Sequence, residues 1–205
     1  PAAPLATIQH ALNRAQDGDT VRLLPGNYTG GTACSWRHAA TQRRCNYNLD
    51  PDGKALTVQG VSAGQTSIDC ELTKTSGHDL VRRGFNFRKS SSPSGPAVRL
   101  QGFTLANCGV NTKENGEPNV RGGGMRFGNG ATVNLTDVRI VNCFARLGDL
   151  QTGHGLGGGI YADGGAIVRM ERVAIESCFS AGQGGGVSVE EKNSAVTMVD
   201  TTIAA

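Results

Sequence analysis

Between Cys34 and Cys45 the chain carries Trp36, Arg37, His38, Arg43 and Arg44, and Tyr47 follows just beyond. No other stretch gathers so many chemically active side chains. An aromatic ring offers a flat surface for a sugar to stack on, and guanidinium forks grip carboxylate or sulfate groups. This is a glycan-binding composition. A protein partner fits equally well, because Trp, Tyr and Arg are the usual interface anchors. The plainer reading is a solvated loop closed by a disulfide. Cys34 with Cys45 is the best pairing of the six cysteines, and closing that loop removes ~3 kcal/mol of unfolded-state entropy.

Catalytic constellations are thin by comparison. Gly153-His154-Gly155 resembles one element of a polygalacturonase-type hydrolase signature. That chemistry needs paired carboxylates, one to protonate the leaving oxygen and one to activate water. The chain has no Asp-Asp pair and no Asn-Thr-Asp, so His154 reads as part of a glycine-rich loop. A lyase would need acidic groups to hold calcium and a base to take the sugar C5 proton. Asp137, Glu171 and Asp200 fall at related positions of successive repeats, with Arg139 and Arg169 nearby. Turn capping or a solvent-facing position explains the acids better than calcium does, so no cofactor is expected, and calcium is the one metal they would take. There is no Cys-x-x-Cys pair to make a zinc site. Two glycosylation sequons occur, at Asn27 and Asn134.

These residues need a scaffold, and the scaffold repeats. Cys108, Cys143 and Cys178 stand 35 residues apart, and the text around them repeats too. Phe103-Thr104-Leu105-Ala106-Asn107-Cys108 matches Val138-Arg139-Ile140-Val141-Asn142-Cys143 and Val173-Ala174-Ile175-Glu176-Ser177-Cys178. Val98/Leu100, Val133/Leu135 and Val168/Met170 keep the same step, as do the Gly122–124 and Gly157–159 triplets. Within a unit the apolar residues alternate in two short runs broken by a tight bend, and a third run follows the glycines. Three short strands per unit, repeated in register, predict an all-β fold: a parallel β-helix with three-strand coils. Like residues then stack in columns ~4.8 Å apart. Cys108, Cys143 and Cys178 form one such column, read here as buried thiols rather than a bridge. Asn107 and Asn142 form another, which Ser177 interrupts.

Leu5, Ile8, Ala11, Leu12 and Ala15 fall at helical spacing. Residues 7–16 are therefore predicted as an amphipathic helix, N-capped by Thr7, that covers the first coil's exposed edge. The rest reads as a single domain over 1–205, with a basic disulfide loop at 30–54 and regular coils over 97–205. Thr7-Ile8-Gln9-His10-Ala11-Leu12, Asp17-Gly18-Asp19-Thr20-Val21 and Pro25-Gly26-Asn27-Tyr28 together resemble the opening of pectin-lyase-like right-handed β-helix proteins. Thr66-Ser67-Ile68-Asp69-Cys70 is similar to a later coil of that superfamily. The units from Gly122 to Ala205 resemble the polymorphic-outer-membrane-protein type of repeat. The resemblance implies the fold over nearly the whole chain. It does not choose a function, because that scaffold hosts lyases, hydrolases, adhesins and inert stalks.

Composition narrows the function. The net charge is only +3, with no basic stripe along the sequence, so nucleic acid is not the expected partner. No apolar run is long enough to span a membrane. The expected role is a non-catalytic, extracellular or cell-surface structural and adhesive module that binds a glycan or protein through its loops. The C-terminal coil is expected to continue into further coils or to stack end to end. The alternative is a polysaccharide lyase or glycoside hydrolase acting on an acidic polymer.

Overall fold

The computed structural model describes residues 5, 7–30, 46–72, 81–87, 97–111, 120–146 and 155–204. One short helix, α1 (Ile8–Arg14), precedes a series of windings. The first contributes β1 (Thr20–Arg22) and β2 (Gly26–Thr29), and the second β3 (Thr57–Gln59), β4 (Thr66–Asp69), β5 (Val81–Arg82) and β6 (Phe85–Phe87). The third gives β7 (Val98–Gln101), β8 (Thr104–Ala106), β9 (Gly109–Val110), β10 (Val120–Arg121) and β11 (Met125–Phe127). The fourth gives β12 (Thr132–Thr136), β13 (Arg139–Val141), β14 (Phe144–Ala145), β15 (Gly155–Leu156) and β16 (Ile160–Ala162). The fifth gives β17 (Ile167–Glu171), β18 (Ala174–Glu176), β19 (Phe179–Ser180) and β20 (Val187–Val189), and β21 (Ala195–Val199) and β22 (Thr202–Ala204) close the series.

Each winding adds one strand to each of the first two sheets, and the second to fifth windings add one to the third. The first sheet runs β1-β3-β7-β12-β17-β21, the second β2-β4-β8-β13-β18-β22, and the third β6-β11-β16-β20. These are parallel throughout. The protein is thus all-β, built of stacked parallel sheets. Three strands per unit was too few, however. The chain also pairs just after the cysteine bend (β5-β9-β14-β19) and on its return (β10-β15). Only β5 and β9 run antiparallel.

From the third to the fifth winding the 35-residue step sets the register, and the second winding joins the same columns. Val58, Leu100, Leu135 and Met170 stack in one inward column, and Ile68, Leu105, Ile140 and Ile175 in another. All eight are buried. Each such side chain contributes about 1.5–3 kcal/mol. Because strand side chains alternate in direction, this core forces the polar residues between them outward.

The chain passes from first to second sheet through one left-handed residue per winding: Gly102 (φ 71°), Asp137 (φ 54°), Arg172 (φ 51°) and Asp200 (φ 48°). Asn107, Asn142 and Ser177 take the same conformation at the next bend. A non-glycine residue there costs roughly 1–2 kcal/mol, and a side-chain ladder offsets it. Asn142 donates to Asn107 Oδ1 at 3.5 Å, and Asn107 donates to both oxygens of Asp69 at 3.1 Å. The predicted Asn ladder therefore reaches one winding further, to an aspartate. The glycine triplets lie where backbones approach most closely. A Cβ on Gly158 would sit 2.2 Å from the Phe179 carbonyl oxygen.

The helix is shorter than the predicted 7–16, although Thr7 caps it, its hydroxyl accepting from His10 N at 3.3 Å. Residues 46–54 determine how it sits. Ile8 N donates to Asn46 Oδ1 at 2.9 Å, Gln9 exchanges two hydrogen bonds with the Asp50 backbone, and Lys54 Nζ donates to the Leu12 and Ala15 carbonyls. Part of the expected 30–54 insertion is therefore core structure: Leu49 is fully buried and bridges in parallel to Phe85.

The cysteine column has four members. Cys70 and Cys108, both buried, form a disulfide with Cα atoms 4.8 Å apart, while Cys143 and Cys178 remain thiols. The expectation of a column made only of thiols is corrected for Cys108. Stacked windings bring two inward Cβ atoms to bridging distance, and Cys70 supplied the partner that the 35-residue step had hidden.

Candidate functional site

Three regions gather polar chemistry. The first is a groove of about 590 Å³ beside the bend between the first two sheets, lined by Gln59, Gln101, Asp137, Arg139 and Arg172 among others. Its charges are mostly engaged with one another. Arg172 donates to both oxygens of Asp137, at 2.7 and 3.0 Å, and also to Glu171. Arg139 reaches Glu176 at 2.6 and 3.1 Å. These hydrogen bonds hold the Asp137 and Glu176 carboxyls below their ordinary range. Asp137 and Asp200 do occupy equivalent bends, but Arg172 takes the place between them. The predicted acid column is thus interrupted by its own counter-ion. Among the described residues no three His, Cys, Asp or Glu side chains gather as a metal site.

The second region lies on the third sheet. Arg126, Tyr161 and Ser188 stack there in register. Asp163 accepts from Arg121 and Arg126, each at 3.5 Å. The Arg121 guanidinium lies 5.4 Å from the Tyr161 ring centroid, and the Tyr161 phenol donates to Glu190 at 2.7 Å. Burial, with help from Glu190, pushes that phenol well above its usual value. The cluster ties three successive windings together through these contacts. Sequence reasoning passed over it because its members come from three windings. The step of 35 from Arg126 to Tyr161 was the available signal.

Beneath the same sheet, Arg83 is fully buried. It donates through Nε and Nη2 to the Arg121 and Gly122 carbonyls at 2.6–2.9 Å. It clips the second winding to the glycine turn of the third.

The third region is the outward face of the first sheet. Parallel register aligns Thr20, Thr57, Arg99, Asn134, Arg169 and Thr197 in one column. Beside it run Arg22, Gln59, Gln101, Thr136, Glu171 and Val199. Here too the step of 35 linking Arg99, Asn134 and Arg169 is legible in the sequence, although Arg99 carries no motif of its own.

The predicted site residues fare differently. Trp36, Arg37, His38, Arg43, Arg44, Cys34 and Cys45 lie outside the described residues, as does His154. Tyr47 is only 4% exposed and belongs to the core cluster, with the Arg82 guanidinium 5.4 Å from its ring centroid. Its phenol, too, is raised by desolvation. So placed, the ring packs inside the protein instead of offering a platform for a sugar. Asn27 is exposed on β2, the edge strand of its sheet. Asn134 points outward from β12 as expected but is half-buried between its neighbours, and its Oδ1 is buried without a hydrogen-bond partner.

No helix of the described residues is long and apolar enough to cross a membrane. No family model, curated protein or solved structure matches the chain.

Proposed function

We propose that this chain is a right-handed parallel β-helix of the pectin-lyase-like type that serves as a non-catalytic structural and adhesive module outside the cell or at its surface. The buried Cys70–Cys108 bridge carries this reading. Structural disulfides form and persist in oxidising compartments, and this one staples two successive windings into a stiff rod. Parallel strand connections are almost always right-handed, which gives the stack its hand. The surface chemistry supports holding over turnover, since the clustered carboxylates are engaged with arginines and the buried phenols are kept protonated. A rod of this kind presents a long flank and its inter-strand loops to a glycan or protein. β21 and β22 leave Met198, Val199 and Ile203 exposed, the face on which a further winding or a second copy would stack.

Surface labelling of intact cells with a membrane-impermeant reagent, followed by intact-mass and peptide mapping of the recovered protein, tests the proposal. Recovery in the surface or secreted fraction with Cys70 and Cys108 linked is expected. A purely intracellular protein with six reduced cysteines would overturn it, as would release of unsaturated or shortened oligosaccharides from polygalacturonate by the purified chain.

A further inference from the structure

We infer that Cys143 and Cys178 are a site of covalent modification: exchange with an external disulfide closes them into a second bridge, which staples the fourth winding to the fifth as Cys70–Cys108 staples the second to the third. The adhesive reading above is not a premise, because the reaction depends on the cysteine column alone.

Register brings the two thiols together. Val141 pairs with Glu176 before the bend, and Phe144 pairs with Phe179 after it. Cys143 and Cys178 sit between these pairs, at the same place in successive windings. Their Cα atoms are therefore one strand spacing, ~4.8 Å, apart. That lies within the roughly 4.4–6.8 Å that a disulfide spans. The same column already holds a bridge at this distance, with the Cys70 and Cys108 Cα atoms 4.8 Å apart. The Cys178 thiol leans back toward the fourth winding, donating to the Ile140 carbonyl at 3.8 Å as well as to the Glu176 carbonyl at 3.4 Å. The two thiols also hydrogen-bond to each other. Cys108, the other neighbour of Cys143 in the column, is already joined to Cys70, so the four cysteines pair two and two. The last glycine of each triplet faces the sulfurs. A Cβ on Gly124 would stand 3.2 Å from Cys143 Sγ, and one on Gly159 would stand 3.5 Å from Cys178 Sγ. With glycine there, the sulfurs keep room to turn toward each other.

Exposure sets the order of events. Cys178 is partly exposed, whereas Cys143 is buried. The Cys178 thiolate attacks one sulfur of a small disulfide RSSR; the S–S bond breaks, RS⁻ leaves and a mixed disulfide forms at Cys178. Cys143 then gives up its proton and attacks Cys178 Sγ, and the second RS⁻ leaves. Each cysteine sulfur loses one electron, each reagent sulfur gains one, and the two thiol protons end on two molecules of RSH. Burial holds the Cys143 thiol above its ordinary value, which makes it slow toward reagents in solution. Beside Cys178 it needs no encounter, because proximity replaces concentration.

The purified chain is treated with excess 2-hydroxyethyl disulfide at mildly alkaline pH, alkylated, denatured without reduction and digested with trypsin. Peptide Ile140–Arg146 should be recovered linked to Val173–Lys192, with Cys70 and Cys108 still joined. A link already present in the chain as isolated supports the inference equally. Closure of the 35-residue loop should raise the Tm by about 8–15 °C. Cys143→Ala should accumulate the mixed disulfide at Cys178, Cys178→Ser should form no adduct at Cys143, and neither should gain the rise in Tm. The wild-type map decides the matter even where a variant does not fold. Full alkylation of Cys143 and Cys178 after treatment overturns the inference, as does linkage of Cys143 to Cys108 in Leu100–Lys113, or of Cys178 to a second chain. The Cys143–Cys178 link without a rise in Tm overturns the stapling role, and an adduct at Cys143 in Cys178→Ser overturns the order of attack.

Discussion

Cutting the Cys70–Cys108 bridge should lower stability by about 4 kcal/mol. The two cysteines are 38 residues apart, so the bridge closes a loop of one complete winding. Loop-closure entropy of roughly 2.1 + 1.5R ln n cal/mol/K then gives about 3.9 kcal/mol at 25 °C. Both cysteines are fully buried, so replacement by alanine also loses some packing and the effect should not be smaller. The assay is urea unfolding of wild type and Cys70→Ala/Cys108→Ala, read by circular dichroism. The double variant should show a lower midpoint and a steeper transition, because an uncrosslinked unfolded chain exposes more surface. Its Tm should fall by about 8–16 °C, at 2–4 °C per kcal/mol for a chain of this size. A midpoint within about 1 kcal/mol of wild type, with unchanged slope, would refute the reasoning, because the bridge would then not be constraining the unfolded chain.

Other tests follow from the same structure. Arg83→Met keeps the aliphatic stem but removes three hydrogen bonds to the third winding, and should cost about 3 kcal/mol in urea unfolding. The raised Tyr47 and Tyr161 phenols bind their protons more tightly in the folded state than in the unfolded state, whose value is near 10. Their contribution is complete below about pH 10 and is lost as pH rises through the folded values. The urea midpoint should therefore fall under alkaline conditions, and less steeply in Tyr161→Phe. Gly158→Ala drives a Cβ against the Phe179 and Gly185 carbonyl oxygens, and should cost about 3 kcal/mol or prevent folding, seen as loss of the cooperative melt. Under native conditions Cys178 should alkylate well before Cys143, because burial raises the Cys143 thiol while Cys178 is partly exposed; mass mapping of modified peptides reads the order.

The repeat was legible because it is a linear property of the chain. A step of 35 residues between Cys108, Cys143 and Cys178, with apolar residues alternating around it, permits few arrangements other than stacked parallel windings. The Asn107–Asn142 ladder and the buried columns followed from the same pattern, and the helix start at Thr7 from the helical spacing of Ile8, Ala11, Leu12 and Ala15. What departs from strict periodicity was hidden. Cys70 lies 38 residues before Cys108, outside the period, and only the closeness of successive windings makes it the bridging partner. Tyr47 had the composition of a binding residue, yet its burial depends on Leu49 joining the third sheet beside Phe85. The locks around Asp163 and Arg83 are assembled from side chains tens of residues apart, and no local pattern marks them.

Sequence by itself determined which residues face inward, because period-two alternation and the 35-residue step fix both direction and column. It also determined that Arg99, Asn134 and Arg169 share a column. Only the tertiary structure decided which arginines are spent on the protein's own carboxylates and which remain available. Ion pairing depends on distances across windings: Arg172 finds Asp137 one winding away, whereas the residues in register with Arg22, Arg99 and Arg169 carry amides and hydroxyls in place of carboxylates.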